Sequence, residues 1–400
     1  MSDQIAEVAE EVGTAAGYSF MDQQYAVNPW DLWAGFRKTP GLLRSDQDGG
    51  FWIASRFEEV YSVGANESLF CAREGRLLPP LPDRFLPGDS DGAPHRLYRK
   101  IMTPFFTNTA IQSAESLVRE TCREVLAPLA GKDAFDMSVD FATPVILLIG
   151  MKWLHWPIEE YETFKRWAHY MMGPRHASPD EIMRSWREAT EFVTNDLARR
   201  RLPENRCDDV VQAVVDAQMD GSISEIEAVQ LVVSLFLGAV DTTASTLCYA
   251  LYHLAGHPED RRRLEAEPEL MPRAVEEFLR LATTVTYIAR TATEDVEVDG
   301  CQVKKGDRVA LIFGSVNRDD REFPNPDEVV MERESNRHMA FGHGPHRCVG
   351  ANFARLMLRT CINEAIATLG EFTVPDESLV EYEISELRVC RRLPVVHTPR

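Results

Sequence analysis

Between Phe341 and Gly350 the chain reads Phe341-Gly342-His343-Gly344-Pro345-His346-Arg347-Cys348-Val349-Gly350, and a helical pattern follows from Ala351. No other stretch restricts the chain as much. Gly342 and Gly344 allow backbone conformations closed to other residues, so the loop can fold tightly beneath a ligand. Cys348 then falls at the start of a helix. Unpaired N–H groups and the positive end of the helix dipole favour a thiolate there. A thiolate so held is an iron ligand, and it donates electron density that favours O–O cleavage. Other readings stay open at this point. Cys348 could be a small buried side chain. His343, His346 and Cys348 could hold zinc, although the loop offers no fourth ligand. A phosphate loop is weaker, because no Gly-Lys-Ser/Thr follows.

Helical patterns dominate the remainder. Apolar residues recur at three/four spacing over 110–129, 158–172, 179–201, 208–219, 224–256, 270–281 and 350–368. Strand-like pieces are few: 51–54, and a hairpin-like pair with glycine turns over 296–312. Residues 76–94 and 314–347 fit neither pattern, and loops this long are often functional. No repeat, low-complexity tract or linker interrupts the chain. The expectation is a mainly α fold with small β-sheets, one large domain over 1–400, with the first thirty residues uninformative.

Three constellations bear on chemistry. Gly238-Ala239-Val240-Asp241-Thr242-Thr243 lies midway along the apolar 224–256 pattern. Glycine, Asp and Thr weaken a helix interior. A water or O2 could insert there, and a buried acid beside a hydroxyl can relay protons. A simple kink in a core helix fits equally well. Glu277 and Arg280 share one helix face at i, i+3 and can pair. His95 and Arg99 share a face, and with Arg290 and His346 they could meet an anion.

Together these residues resemble the cytochrome P450 family, the haem-thiolate monooxygenases. The loop matches its haem signature F-G-x-G-x-H-x-C-x-G at every fixed position. Residues 238–243 resemble its oxygen-activation motif, with Ala239 where a second glycine is often found. Glu277-Phe-Leu-Arg280 resembles its E-x-x-R lock, with Arg333 as the third member. Thr283-Thr284 stands where proline often follows. The likeness runs from about Gly49 to Val395, and details such as Gly49-Gly-Phe-Trp-Ile-Ala are similar to the camphor-hydroxylating subgroup. It implies haem b on the Cys348 thiolate, with Phe341 and Gly350 in the cofactor loop. His95, Arg99, Arg290 and His346 would meet the propionates. Asp241 and Thr242 would be the catalytic relay, and Phe85, Leu235, Gly238, Ala239, Tyr287 and Ile288 would form pocket walls. Leu81 and Asp83 lie in the same loop as Phe85.

The activity implied is insertion of one O2 oxygen into a C–H bond of a small, mostly apolar guest, a terpenoid for example. A peroxide-driven peroxygenase and a non-enzymatic haem protein are the alternatives, and the intact Asp241-Thr242 pair speaks against both. No flavin or dinucleotide glycine motif is present, so electrons come from outside. The resemblance implies an iron–sulfur ferredoxin with an NAD(P)H-dependent reductase. The chain carries 43 basic and 63 acidic side chains, a formal charge of −20, which disfavours nucleic acid. Against that background Arg333, Arg337, Arg347, Arg355 and Arg359 oppose only Glu334, a basic patch suited, with Arg96, Arg99 and Lys100, to an acidic partner. None of the eight cysteines forms a C-x-x-C pair, and the first residues hold no apolar leader. A cytoplasmic monomer is expected. Leu231 to Ala255 is apolar enough to need a membrane check, but Asp241 near its middle favours a buried core helix.

Overall fold

In the computed structural model, residues 15–20, 22, 28–80, 84–171, 177–384 and 386–397 are described. Leu81 and Asp83 fall outside them. The longer helices are α1 (Trp30–Lys38), α2 (Phe57–Ala65), α3 (Gly92–Met102), α4 (Glu115–Leu126), α5 (Thr143–Trp153), α6 (Tyr161–Met171), α7 (Pro179–Arg200), α8 (Val210–Met219), α9 (Glu225–Gly256), α10 (Pro258–Ala266), α11 (Met271–Ala282) and α12 (Ala351–Leu369).

α9 organises the rest. Its start is set by a reciprocal cap: Ser224 Oγ accepts the Glu227 N–H at 3.3 Å, and Glu227 accepts the Ser224 N–H at 2.7 Å. The helix is apolar nearly all round, so it must be covered on every side. α5, α7, α11 and α12 pack around it. Length and composition alone would let it cross a membrane, but 72% of its most apolar stretch is buried inside the protein. α5 is absent from the helical periodicity of the sequence. Its Thr-Pro-Val-Ile-Leu-Leu-Ile-Gly-Met core is apolar on all faces, which erases the pattern that periodicity detects.

The strands are β1 (Leu43–Ser45), β2 (Phe51–Ala54), β3 (Phe70–Cys71), β4 (Ala134–Asp136), β5 (Tyr287–Ala292), β6 (Val296–Val298), β7 (Cys301–Val303), β8 (Arg308–Ile312), β9 (Phe372–Thr373), β10 (Glu381–Ile384), β11 (Arg388–Arg392) and β12 (Pro394–His397). A five-stranded sheet has the order β1-β2-β8-β5-β3. The hairpin expected over 296–312 is shorter than that. β6 and β7 pair with each other around Asp299-Gly300, whose φ values are 48° and 80°. β8 instead joins the large sheet, parallel to β2 and antiparallel to β5. Alternation along β5 then decides which side chains reach the interior cavity. Tyr287 and Ala289 enter an apolar cluster with Phe20, Phe51 and Trp33, while Ile288 and Arg290 point the other way.

A buried ionic lock braces the segment leading to the thiol loop. Glu277 and Arg280, both fully buried, form a two-point pair at 2.8 and 2.9 Å. Glu277 also accepts from Arg333 Nε at 3.0 Å, Asn336 Nδ2 at 2.9 Å and the Val330 N–H at 2.9 Å. Arg280 donates to the carbonyls of Asn317, Pro326 and Glu328 at 2.8, 2.5 and 2.8 Å. Burial raises the Glu277 carboxyl, but Arg280, the Val330 N–H and Arg333 outweigh it and leave it below its ordinary value. Thr283 closes α11 in the left-handed region (φ 32°), its hydroxyl donating to the Arg280 carbonyl at 2.5 Å and accepting from Asn317 Nδ2 at 2.8 Å. The chain therefore turns here without proline.

Candidate active site

The thiol loop is held from both ends. The Cys348 N–H donates to the Phe341 carbonyl at 2.9 Å and the Gly342 N–H to the Met339 carbonyl at 2.9 Å. Gly342 and Gly344 have φ of 71° and 73°. Gly344 is needed twice over, because a Cβ there would stand 2.2 Å from the Gly64 carbonyl oxygen on α2. Cys348 lies two residues before Gly350, which caps α12. Cys348 is exposed and lines a cavity of about 360 Å³. Burial pushes the thiol up from its ordinary value; the Gly350 N–H, Arg99 and Arg347 pull against it and lose. The lowered thiol expected from helix geometry is thus overridden by desolvation in the protein chain itself. A coordinated metal ion would deprotonate it outright.

Phe341 lines the same cavity and is braced from behind. Arg355 lies over its ring at 4.6 Å and pairs with Glu276 at 2.6 and 2.7 Å. His338 Nε2 meets the same carboxylate at 2.9 Å. Nothing in the sequence pattern links these three residues. The zinc arrangement is not built: His343 stacks on Tyr61 with ring centroids 4.1 Å apart, away from Cys348. Among the described residues, no group of side chains able to hold an ion includes Cys348.

One wall of the cavity comes from α9. Leu235, Gly238, Ala239 and Thr242 line it, with Thr243 and Thr246. The helix runs unbroken through this stretch, contrary to the local opening expected from its composition. The Thr242 hydroxyl donates to the Gly238 carbonyl at 2.8 Å, which accommodates the polar side chain without breaking the turn. Asp241 points away. It is buried off the cavity wall, and its carboxylate oxygens stand 3.4 and 3.5 Å from Arg391 Nη1 on β11. Burial raises its carboxyl above the ordinary value, Arg391 opposing. Adjacent residues on a helix diverge by about 100°, and here that divergence turns Thr242 to the cavity and Asp241 to β11.

Phe85 and Ile288 line the cavity as expected, but Tyr287 does not. Its ring stacks on Phe20, and strand alternation carries it to the opposite face of β5. Walls missed by sequence reasoning come from α5 (Ile146, Trp153), from α12 (Phe353, Met357) and from Leu387. Thr284 lines it too, its hydroxyl 3.1 Å from that of Thr246.

Of the four expected anion partners, Arg290 and His346 line the cavity. Arg290 is 3% exposed, donates to its own neighbour's carbonyl (Ala289, 2.9 Å), and has no ion pair within 4.0 Å among the described residues. Burial lowers its guanidinium to about 10. His346 buries both ring nitrogens without a hydrogen-bond partner, Nε2 standing 3.5 Å from Asp91 Oδ1. His95 and Arg99 lie one layer back. His95 stacks on His346 with centroids 4.2 Å apart, and burial lowers it to about 4. Arg99 donates to the Arg347 carbonyl at 3.0 Å. A desolvated arginine without a counter-ion and an imidazole with unused nitrogens, on one cavity with a thiol, fit a flat ligand carrying carboxylates and a thiolate-ligated metal. Haem has that donor requirement.

The basic patch shrinks in three dimensions. Arg333 is in the lock, Arg355 pairs with Glu276, Arg337 with Glu322 at 3.4 Å and Arg359 with Glu115 at 3.7 Å. Arg96 lies 3.7 Å from Glu67. Arg347 and Lys100 are exposed and have no ion pair among the described residues.

The family model described as Cytochrome P450 matches residues 150–381. The chain is 32% identical over 358 residues to nocardicin C N-oxygenase of Nocardia uniformis subsp. tsuyamanensis, covering 86% of this chain and 89% of that protein. It is 29% identical over 356 residues to mycinamicin IV hydroxylase/epoxidase of Micromonospora griseorubida, covering 86% and 89%. Among solved structures it is similar to HinD with NMFT and NO, with a TM-score of 0.84 and 29% identity over 91% of this chain and 95% of that one. The fold also matches the bacillaene polyketide synthase protein PksS of Bacillus subtilis 168, with a TM-score of 0.87, covering 95% and 100% at 23% identity.

Proposed function

This chain belongs to the cytochrome P450 family of haem-thiolate monooxygenases, and we propose that Cys348 supplies the axial thiolate within the cavity between α9 and α12. The observation that carries this reading is that Cys348 lines the same cavity as the buried Arg290, which has no ion pair among the described residues. Arg290 and His346 would hold the carboxylates of the haem edge, with His95 and Arg99 supporting them from behind. Bound haem supplies O2 activation, from which one oxygen enters the substrate.

The protein's part is containment and proton handling. Gly238 and Ala239 keep the α9 wall low opposite the thiol. Thr242 presents its hydroxyl at that wall while its own proton is shared with the Gly238 carbonyl. Asp241 is the acid of the relay. Phe85, Leu235, Ile288 and Leu387 surround a small, mostly apolar substrate of terpenoid type and exclude water from it. Electrons come from an iron–sulfur ferredoxin with its NAD(P)H-dependent reductase. Arg347 and Lys100 supply the exposed positive charge for its approach.

The test is reconstitution with ferredoxin, reductase and isotopically labelled O2, using a terpenoid, steroid, fatty acid and aromatic panel. A small apolar compound shifts the ferric spin state and leaves with one labelled oxygen, and reduction slows with rising salt. A protein that responds to no apolar compound and is reduced at a salt-independent rate contradicts the substrate and partner readings.

A further inference from the structure

Asp241 is the one relay residue that the cavity does not expose. Its carboxylate is turned toward the hairpin β10–β11, where the guanidinium of Arg391 stands 3.4 and 3.5 Å from its two oxygens. That contact is long for a charge-assisted hydrogen bond, whose usual span is about 2.7–2.9 Å. Arg391 is gripped harder from the other side, where its Nε donates to Glu383 Oε2 at 2.7 Å. One cation is thus shared unequally by two carboxylates. The inner one, on α9, is 5% exposed; the outer one, on β10, is 17% exposed, with Arg391 between them at 24%. Asp241 is thus the most buried of the three, and Arg391 and Glu383 are its more exposed side. The hairpin is also tied to α9 beside this point, where the Cys390 N–H donates to Ser245 Oγ at 3.1 Å. The guanidinium therefore cannot drift far from the helix.

We propose that Arg391, held by Glu383, is a positioning residue that retracts Asp241 onto the hairpin and sets whether it is an anion or an acid. In the closed arrangement Asp241 is an anion on Arg391. When Asp241 takes a proton from the solvent side, its attraction to Arg391 is lost and the carboxyl is free to turn toward Thr242. Glu383 decides how much of the guanidinium Asp241 receives. Arg391 and Glu383 are the charged groups that act on Asp241, the first favouring its anion and the second its acid. Among the described residues, no charged group from the other helices packed on this part of α9 joins them.

This inference rests on the monooxygenase reading for its consequence, but not for its measurement. The carbonyl stretch of protonated Asp241, identified by its loss in Asp241→Asn, is followed by infrared difference spectroscopy against pH in the resting holoenzyme. Arg391→Gln moves the titration midpoint up by about one to three pH units, the range a neighbouring arginine imposes on an aspartate. Glu383→Gln moves it down, since it removes an anion and leaves Arg391 to Asp241. Arg391→Lys restores part of the shift. In turnover, both Gln variants change the fraction of reductant that ends as peroxide and the solvent isotope effect, while haem content is unchanged. A purely structural hairpin would leave the midpoint where it is. Midpoints that stay put, or that move in the same direction in both Gln variants, overturn the proposal. If Arg391→Gln does not fold, Glu383→Gln and Arg391→Lys decide it. Opposite shifts without oxygenase activity would uphold the positioning role and refute the function instead.

Discussion

Replacing Glu277 by Gln removes one negative charge and strands two arginines. Arg280 is fully buried, and the Arg333 side chain is 8% exposed. Glu277 receives two bonds from Arg280 and one each from Arg333, Asn336 and the Val330 N–H, so its oxygens are acceptors throughout. A glutamine has one acceptor oxygen, and its NH2 would face donors. Removing one partner of a buried pair costs about 3–5 kcal/mol, because the other charge stays behind without compensation. Unfolding entropy near about 2.1 cal/mol/K per residue gives about 0.8 kcal/mol/K for 400 residues. The unfolding midpoint should therefore fall by about 4–6 °C. Thermal melts of the haem-loaded proteins, followed by circular dichroism, read this directly. Because the lock braces the 317–336 segment before the thiol loop, haem loss should begin at a lower temperature too. A midpoint within about 1 °C of the parent would refute the argument, since the lock would then carry no net energy.

Gly344→Ala places a methyl against the Gly64 carbonyl at a residue with φ 73°, so a loss of about 2–4 kcal/mol is expected, read as a lower denaturant midpoint and weaker haem retention. Glu276 is held at about 2, since burial raises it but Arg355 and His338 bind it more strongly. A lowered folded value means stability fully present above the ordinary carboxyl range and lost as pH falls toward about 2. The parent's advantage over Glu276→Gln should shrink between about pH 5 and pH 3, measured by denaturant midpoints. An advantage that stays constant over that range would contradict it. Arg290→Leu relieves a desolvated cation and removes an anion partner. The haem-free protein should be no less stable, while haem transfer to a scavenger should quicken roughly 10–100-fold, matching about 1.5–3 kcal/mol for a charged hydrogen bond. A less stable haem-free form with unchanged transfer would reverse that assignment.

The loop from Phe341 to Gly350 was legible because its chemistry is local: glycines, a histidine and a cysteine within ten residues, then a helix. α9 was legible for the same reason, its cap and apolar run being contiguous. What escaped depended on partners far along the chain. Asp241 and Arg391 are 150 residues apart, and no spacing rule joins them. The basic patch shrank to Arg347 and Lys100 because Glu276, Glu115 and Glu322 reach its other members from other elements. Tyr287 was lost to strand parity: one residue along β5 decides which face a side chain takes, and the sequence alone did not set that register. α5 escaped because an all-round apolar helix has no period to read.

The central claim is that Cys348 is the thiolate that haem iron meets. The most direct measurement is the absorption spectrum of the reduced, carbon-monoxide-bound protein beside that of Cys348→Ser. The account predicts the strongly red-shifted Soret band of thiolate ligation in the parent and its loss in the variant, with the other seven cysteines intact. A parent that never shows that band, or a Cys348→Ser protein that keeps it, would contradict the account.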